Sequence, residues 1–358
     1  MDVPSVKHYQ TAHQRTRLLT TVERPPLATK AKSYLDNKTV FLAGSTGMVG
    51  SGVLRCLLTQ FPKTKIRALY HEKSDSLFRN ERVTYVRGNL MSAETIRQRV
   101  TGCEVAVMAA AQTAGSALTT AEPWRFVNEN LIMNAQVLEA LYRENIKRVI
   151  MIGSASLYQD TDLPLKESDL DLNRDPHPAH FGIGWVMRSV EKLCQFWHEQ
   201  YGLSVLTVRA SNVFGPFAKF DPHRANFIPA LIRKAVAHDD PFEVWGSPDV
   251  ARDVIFVEDF ARAIAMLLEA DHIVHDTFNV GSGRPTRVGD VVTWALRYAD
   301  HRPGQIHYNQ NKPTTVKTRV LDCSKIEKAV GWKPQVSTEE GIRQTTEWWI
   351  QNKETWTK

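Results

Sequence analysis

Three glycines set the first piece of chemistry in this chain. Phe41-Leu42-Ala43-Gly44-Ser45-Thr46-Gly47-Met48-Val49-Gly50-Ser51 is a GxxGxxG segment between an apolar run and an amphipathic one carrying Val53, Leu54, Leu57 and Leu58. The first glycine permits a tight turn, the second a close approach of backbone to a pyrophosphate, and the third close packing of helix on strand. The unpaired amides and positive dipole end of a helix N-terminus then attract phosphate. The segment predicts a dinucleotide held by Gly44, Ser45, Thr46, Gly47, Met48, Val49 and Gly50. It lacks the Gly-Lys-Ser/Thr ending of a Walker loop, which excludes nucleoside triphosphate hydrolysis of that type. At the end of the second strand, where an acidic side chain would meet the ribose 2′-hydroxyl of NAD, the sequence reads Ala68-Leu69-Tyr70-His71-Glu72-Lys73. With His71 and Lys73 suited to a 2′-phosphate, NADP(H) is expected in preference to NAD(H), and Glu72 is the argument against it. Cys56, Cys103, Cys194 and Cys323 lie far apart without a CxxC pair, so neither a metal site nor a disulfide is expected.

Such a loop works only when a sheet and a helix hold it. Short apolar runs at 39–43, 65–70, 83–87, 104–109, 148–152 and 203–209 alternate with amphipathic stretches long enough for crossover helices. That alternation predicts βαβ units and a parallel sheet. The fold class expected is α/β: a Rossmann-type doubly wound parallel sheet with a smaller C-terminal substrate lobe. Residues 1–37 are polar, mildly basic and broken by Pro25-Pro26, and read as a flexible or draped N-terminal arm. Residues 38–210 form the dinucleotide-binding domain. From 211 to 358 the chain turns irregular, with helices expected at 228–237, 258–269 and 289–298, and supplies mainly the substrate-binding lobe, some segments returning to the sheet.

The composition narrows the partners. A chain of 358 residues with 42% hydrophobic residues can bury a full core. Its net charge of +6 comes from scattered Lys and Arg rather than a block, and no aromatic-interleaved basic helix accompanies it. Anionic phosphorylated small molecules fit that surface better than nucleic acid, which is not expected as a partner. No stretch approaches the roughly 20 apolar residues of a membrane span, and no apolar signal core opens the chain. A cytoplasmic protein with no membrane partner is therefore expected.

From Lys38 to about Asn352 the sequence resembles the extended short-chain dehydrogenase/reductases, the nucleotide-sugar epimerases and dehydratases, and within them the epimerase-reductases. The likeness rests on the glycine loop, Gly88-Asn89-Leu90, Ala109-Ala110-Ala111-Gln112-Thr113-Ala114-Gly115, and Gly153-Ser154-Ala155-Ser156-Leu157-Tyr158. It continues in Arg209-Ala210-Ser211-Asn212-Val213-Phe214-Gly215-Pro216, Asn226-Phe227-Ile228-Pro229, Arg252-Asp253-Val254-Ile255-Phe256 and Gly331-Trp332-Lys333-Pro334. The resemblance implies a nicotinamide cofactor touched also by Asn89, Leu90, Ala109, Ala110 and Ala111. It further implies a nucleotide-activated sugar met by Gln112, Ser156, Asn212, Asn226 and Arg252, with the planar fork of Arg252 on the diphosphate. A homodimer through two long helices, near 124–142 and 184–201, is also implied.

The resemblance breaks at the reacting groups. The family pairs a Ser with a Tyr and a Lys spaced YxxxK on one helix face. Ser154 is present, but Ile183 stands at the Tyr position and Met187 at the Lys position, and no shift of register helps. The chain has no Tyr between Tyr158 and Tyr201 and no Lys between Lys166 and Lys192. Two readings stay open. One is an enzyme of altered mechanism using Ser154 with His180, His177 or Tyr158 as the proton-handling group. The other is a non-catalytic cofactor-binding scaffold or sensor.

Overall fold

The computed structural model describes residues 32–72, 78–113, 122–161, 164–312 and 318–356. Lys73, most of the expected N-terminal arm and the Ala114-Gly115 end of the loop motif lie outside these residues.

Apolar runs become strands because only the interior of a parallel sheet hides both of their faces. β1 (Thr39–Ala43), β2 (Lys65–Tyr70), β3 (Val83–Arg87), β4 (Val105–Met108), β5 (Arg148–Ser154), β6 (Val205–Ala210) and β10 (His275–Val280) join in one sheet in the order β10-β6-β5-β4-β1-β2-β3. Every neighbouring pair is parallel. Val40 to Ala43 of β1 and all four residues of β4 are buried. Strand β1 lies between β2 and β4, so the order reverses there, which places a crevice at the carboxyl ends of β1 and β4.

Helices cover the sheet. α1 (Met48–Gln60) packs beside α6 (Val257–Glu269), and α2 (Ala93–Val100), α3 (Pro123–Arg143) and α4 (Phe181–Tyr201) pack in series. Arg148 at the start of β5 is almost fully buried and gives its guanidinium to the carbonyls of Leu267, Ala270 and Ile273, capping the end of α6 with a positive charge. The expected doubly wound α/β sheet is what the structure shows.

Beyond Ala210 the chain leaves the sheet, returning for α6 and β10. β9 (Ala251–Phe256) is joined by β7 (Asn212–Phe214) and β13 (Thr318–Arg319) in parallel and by β11 (Pro285–Arg287) antiparallel. β8 (Phe242–Trp245) and β12 (Ile306–Asn309) make a parallel pair. α5 (Phe227–Val236), α7 (Val288–Tyr298), α8 (Ser324–Val330) and α9 (Thr338–Asn352) complete the order. This part has an aromatic core, in which Phe220 and Trp349 stack with centroids 4.1 Å apart. Among the described residues no helix is long and apolar enough to cross a membrane.

Candidate active site

The glycine loop has the form its spacing requires. β1 ends at Ala43, Gly44 takes φ +74°, and α1 begins at Met48. A Cβ on Gly44 would stand 2.7 Å from Ala109 O, and one on Gly50 only 2.1 Å from Gly44 O, so both positions are closed to any side chain. Gly47 differs: its φ is −77°, and a Cβ there would meet only Gly44 O, at 3.4 Å. Space over Gly47 is therefore open from inside the protein. Gly47 is also the N-cap of α1 without a side-chain cap, and the first turn carries no acid. These features fit a pyrophosphate seated on the helix N-terminus.

Flanking loops complete the crevice. His71 is exposed at the end of β2, with Nδ1 3.9 Å from Glu72 Oε1. Asn89 is exposed and its Oδ1 accepts from the Met91 amide, while Leu90 is buried. After β4, Ala109 and Ala110 run alongside Gly44, Ala111 follows them, and Asn130 of α3 holds the turn at Gln112. Its Oδ1 accepts from the Gln112 amide at 3.0 Å, and its Nδ2 donates to Gln112 O at 3.1 Å and Phe126 O at 2.7 Å. The sequence reading missed Asn130, because an amide on a helix face carries no signal until its partner loop is known. Gln112 opens on a cavity of about 190 Å³ shared with Thr113, Arg125, Phe126 and Arg224.

Ser154 closes β5 and caps a short 3-10 turn, its Oγ accepting from the Ser156 amide at 3.2 Å. Ser156 Oγ is buried with no hydrogen-bond partner among the described residues. Helix α4 crosses this loop closely, since a Cβ on Gly184 would lie 2.8 Å from Ser156 O and one on Gly153 would lie 3.8 Å from Met187 Sδ. Ile183 packs on the same core and Met187 is buried in it.

Tyr158, one of the expected proton-handling groups, is enclosed by the protein. Its side chain is fully buried; the hydroxyl lies 2.8 Å from Asn279 Oδ1 and 3.1 Å from Lys166 O, and it accepts from Arg209 Nη1 at 2.7 Å. Burial pushes the phenol up to about 12 against the pull of Arg209. Tyr158→Phe should cost about 1–3 kcal/mol, because Asn279 loses a donor inside the core. Urea unfolding measures this, and a stability equal to wild type would show that the network is dispensable.

Arg252 lies on β9 with Nη1 donating to Ala251 O, and within its field stands Arg319 of β13, which the sequence reading also missed. Arg319 is 9% exposed; Nη1 donates to Ala155 O at 3.2 Å and approaches His180 Nδ1 at 3.5 Å. Burial lowers both guanidiniums to about 10, and Arg319 adds to the effect on Arg252, yet both stay cationic at neutral pH. Asp253 fixes the pair. Its carboxylate accepts from Ser282 N and Oγ, Gly283 N and Leu321 N, tying β9 to the turn after β10 and to the residues following Arg319. His177 and His180 bracket the 3-10 turn before α4, and His177 Nδ1 accepts from the Ala179 amide. Asn212 donates to Asp253 O, and Asn226 caps α5 without a side-chain bond to it.

Residues 40–281 match the model of the NAD dependent epimerase/dehydratase family. The chain belongs to that family. It is 28% identical over 329 residues to a GDP-L-fucose synthase of Sinorhizobium fredii, covering 89% of this chain and 97% of that one. Among solved structures it is similar to the UDP-N-acetylglucosamine 4-epimerase of Methanobrevibacter ruminantium in complex with UDP-N-acetylmuramic acid. That match has a TM-score of 0.77 and 25% identity, over 88% of this chain and 99% of that one. The UDP-glucose 4-epimerase of Thermus thermophilus, solved with NAD, has a TM-score of 0.74 at 21% identity, over 86% and 98%. The NADP(H) preference expected from His71 and Lys73 is overturned, because the similar structures solved with a dinucleotide hold NAD. Glu72, the residue that argued against that preference, stands beside His71 just after β2.

Proposed function

We propose that this member of the family binds NAD with its pyrophosphate on Gly44–Gly50 and a nucleotide-activated sugar with its diphosphate on Arg252 and Arg319, and acts on the sugar by an atypical epimerase, dehydratase or reductase reaction. The observation that carries the reading is the pair of guanidiniums beside the loop after β5, where Arg319 Nη1 donates to Ala155 O and its Nη2 has no partner among the described residues. Two partly buried cations in each other's field suit a dianion. When bound, the nicotinamide supplies a hydride acceptor and donor. Ser154 Oγ orients the reacting hydroxyl, and His180, at the N-terminus of α4, takes the proton-handling place left by Ile183 and Met187. The burial of Tyr158 and the capping bond that His177 Nδ1 accepts favour His180 over either for that role.

The test follows nicotinamide absorbance with a panel of nucleotide sugars after bound dinucleotide has been identified by mass spectrometry. Ser154→Ala should abolish turnover and His180→Ala should lower it by about 10²-fold, the scale of a lost acid-base group. Efficient turnover indifferent to both would place the active site elsewhere. The scaffold reading retains one specific support, the burial of Met187 where a ribose-binding cation is needed. It requires a wild type that binds NAD and turns nothing over, and activity gained on combining Ile183→Tyr with Met187→Lys.

The dimer belongs to the same proposal. Tyr142 of α3 and Phe196, Trp197 and Tyr201 of α4 form one aromatic cluster, and Tyr142, Phe196 and Tyr201 are 39%, 45% and 48% exposed. Leu131 and Ile132 continue the apolar surface along α3. Light scattering should give a dimer mass, and Leu131→Glu with Phe196→Glu should give a monomer. A wild type that is monomeric at micromolar concentration defeats the assignment.

A further inference from the structure

Arg319 holds a buried charge that the described residues leave incompletely paired. Nη1 is shared between Ala155 O and His180 Nδ1, and Nη2 is buried without a hydrogen-bond partner among them. A guanidinium has donors and no acceptor, so His180 Nδ1 is the accepting nitrogen and the ring's own hydrogen sits on Nε2. The groups whose charge acts on His180 are Arg319 of β13, His177 of the same 3-10 turn and Arg252 of β9. Burial opposes a second ring proton most strongly, these three add to it, and the imidazole is held down to about 4. Asp160, in the segment after β5, acts on Arg319 with the opposite sign.

We propose that His180 is a proton-coupled third member of the anion site: an anion seated on Arg252 and Arg319 brings a proton to His180 Nδ1, and the resulting imidazolium donates to the bound anion. This rests on the reading of Arg252 and Arg319 as the diphosphate site. Negative charge there offsets the repulsion that both guanidiniums exert on the ring and turns the Arg319 donors away from Nδ1. The proton comes from solvent. Below the titration range of the filled site and above that of the ligand-free one, the ring is cationic with the anion bound and neutral without it. Binding therefore takes up a proton and tightens as pH falls through that window, with a slope approaching about tenfold per pH unit. Above the window binding is insensitive to pH. A filled site would then present His180 to the sugar as an acid, the form that a missing Tyr would have supplied.

UDP-glucose is a suitable probe because both of its phosphates are esterified and neither titrates near pH 6; sulfate is a second probe that needs no base or sugar recognition. Calorimetry at pH 6 in buffers of different ionisation heat counts protons taken up, and carbon-13 spectra of the histidine rings, with His180 assigned by its loss in His180→Gln, follow the ring itself. We expect a His180 titration that rises toward the ordinary range near 6.5 and, at pH 6, uptake of about three-quarters of a proton per anion bound. His180→Gln should still bind either probe, with no uptake and a flat pH profile. Arg319→Gln should raise the His180 titration with no anion present, a readout that a merely structural histidine would not give. Binding by the wild type without uptake, or uptake that survives in His180→Gln, overturns the coupling and leaves the anion site standing. No binding of UDP-glucose or sulfate by the wild type overturns the anion site, and the coupling falls with it.

Discussion

Gly47→Leu should leave the protein folded and reduce its affinity for NAD by about 100-fold or more, equivalent to about 2.8 kcal/mol. The two halves of this expectation have separate grounds. Gly47 lies at φ −77° and ψ 168°, a conformation open to any residue, and its Cβ position meets only Gly44 O at 3.4 Å. A Cβ there meets no backbone clash that would have to be relieved by unfolding. It would fill the space above the first amides of α1, where the pyrophosphate must approach backbone directly. Gly50 is the internal control. A Cβ at that position would lie 2.1 Å from Gly44 O, so Gly50→Ala should damage the loop itself and lower thermal stability along with binding. Calorimetry with NAD and thermal melts of both variants distinguish the two glycines. An intact Gly47→Leu protein with wild-type affinity would remove the dinucleotide from this loop.

Features written in consecutive residues were legible before the structure, and features assembled across the chain were not. The runs at 39–43, 65–70 and 83–87 are strands over those same residues; β1, inside the sheet and buried from Val40 to Ala43, is the unbroken apolar run that burial on both faces demands, while the edge strand β3 keeps only Val83, Tyr85 and Val86 partly covered. The GxxGxxG turn was equally legible, since a strand, a positive φ and a helix start follow one another within a dozen residues. Arg319 was missed for the opposite reason. It sits in a two-residue strand and meets Ala155 across 164 positions of sequence, with no local period to mark it. The surroundings of Tyr158 were hidden on the same grounds. A tyrosine four residues beyond Ser154 looks available until Arg209 and Asn279, supplied by β6 and β10, enclose its hydroxyl. The NADP(H) expectation weighed His71 and Lys73 above Glu72, an acid that stands beside His71 just after β2.

Glu191→Ala should destabilise the protein by about 3–5 kcal/mol, the cost of leaving one partner of a buried ion pair uncompensated. Glu191 of α4 receives Arg209 of β6 in two hydrogen bonds of 2.8 Å, and the side chains are 13% and 6% exposed. Burial works against the charge on Arg209, but the hydrogen bonds and charge of Glu191 outweigh it and hold that guanidinium above its ordinary pKa. Without Glu191 the guanidinium keeps hydrogen bonds, among the described residues, only to the Tyr158 hydroxyl and Glu167 O, both neutral, and the Glu167 carboxylate acts on it only through space. Glu191→Gln, which retains an acceptor, should lose less than Glu191→Ala. Replacing both partners by apolar residues, Glu191→Leu with Arg209→Met, should recover much of the loss, because the cost lies in the stranded charge and not in the missing attraction. Denaturant titration of the three variants reads the order directly, and a double variant as unstable as Glu191→Ala would contradict the account. The consequence reaches the site through helix geometry: Ile183, Met187 and Glu191 recur every four residues on one face of α4, and the pair with Arg209 sets how that face is presented to the loop of Ser154. If the scaffold reading holds, restoring Tyr and Lys at 183 and 187 should give activity only with Glu191 in place, and the same restoration made in Glu191→Ala should give a folded fraction without it.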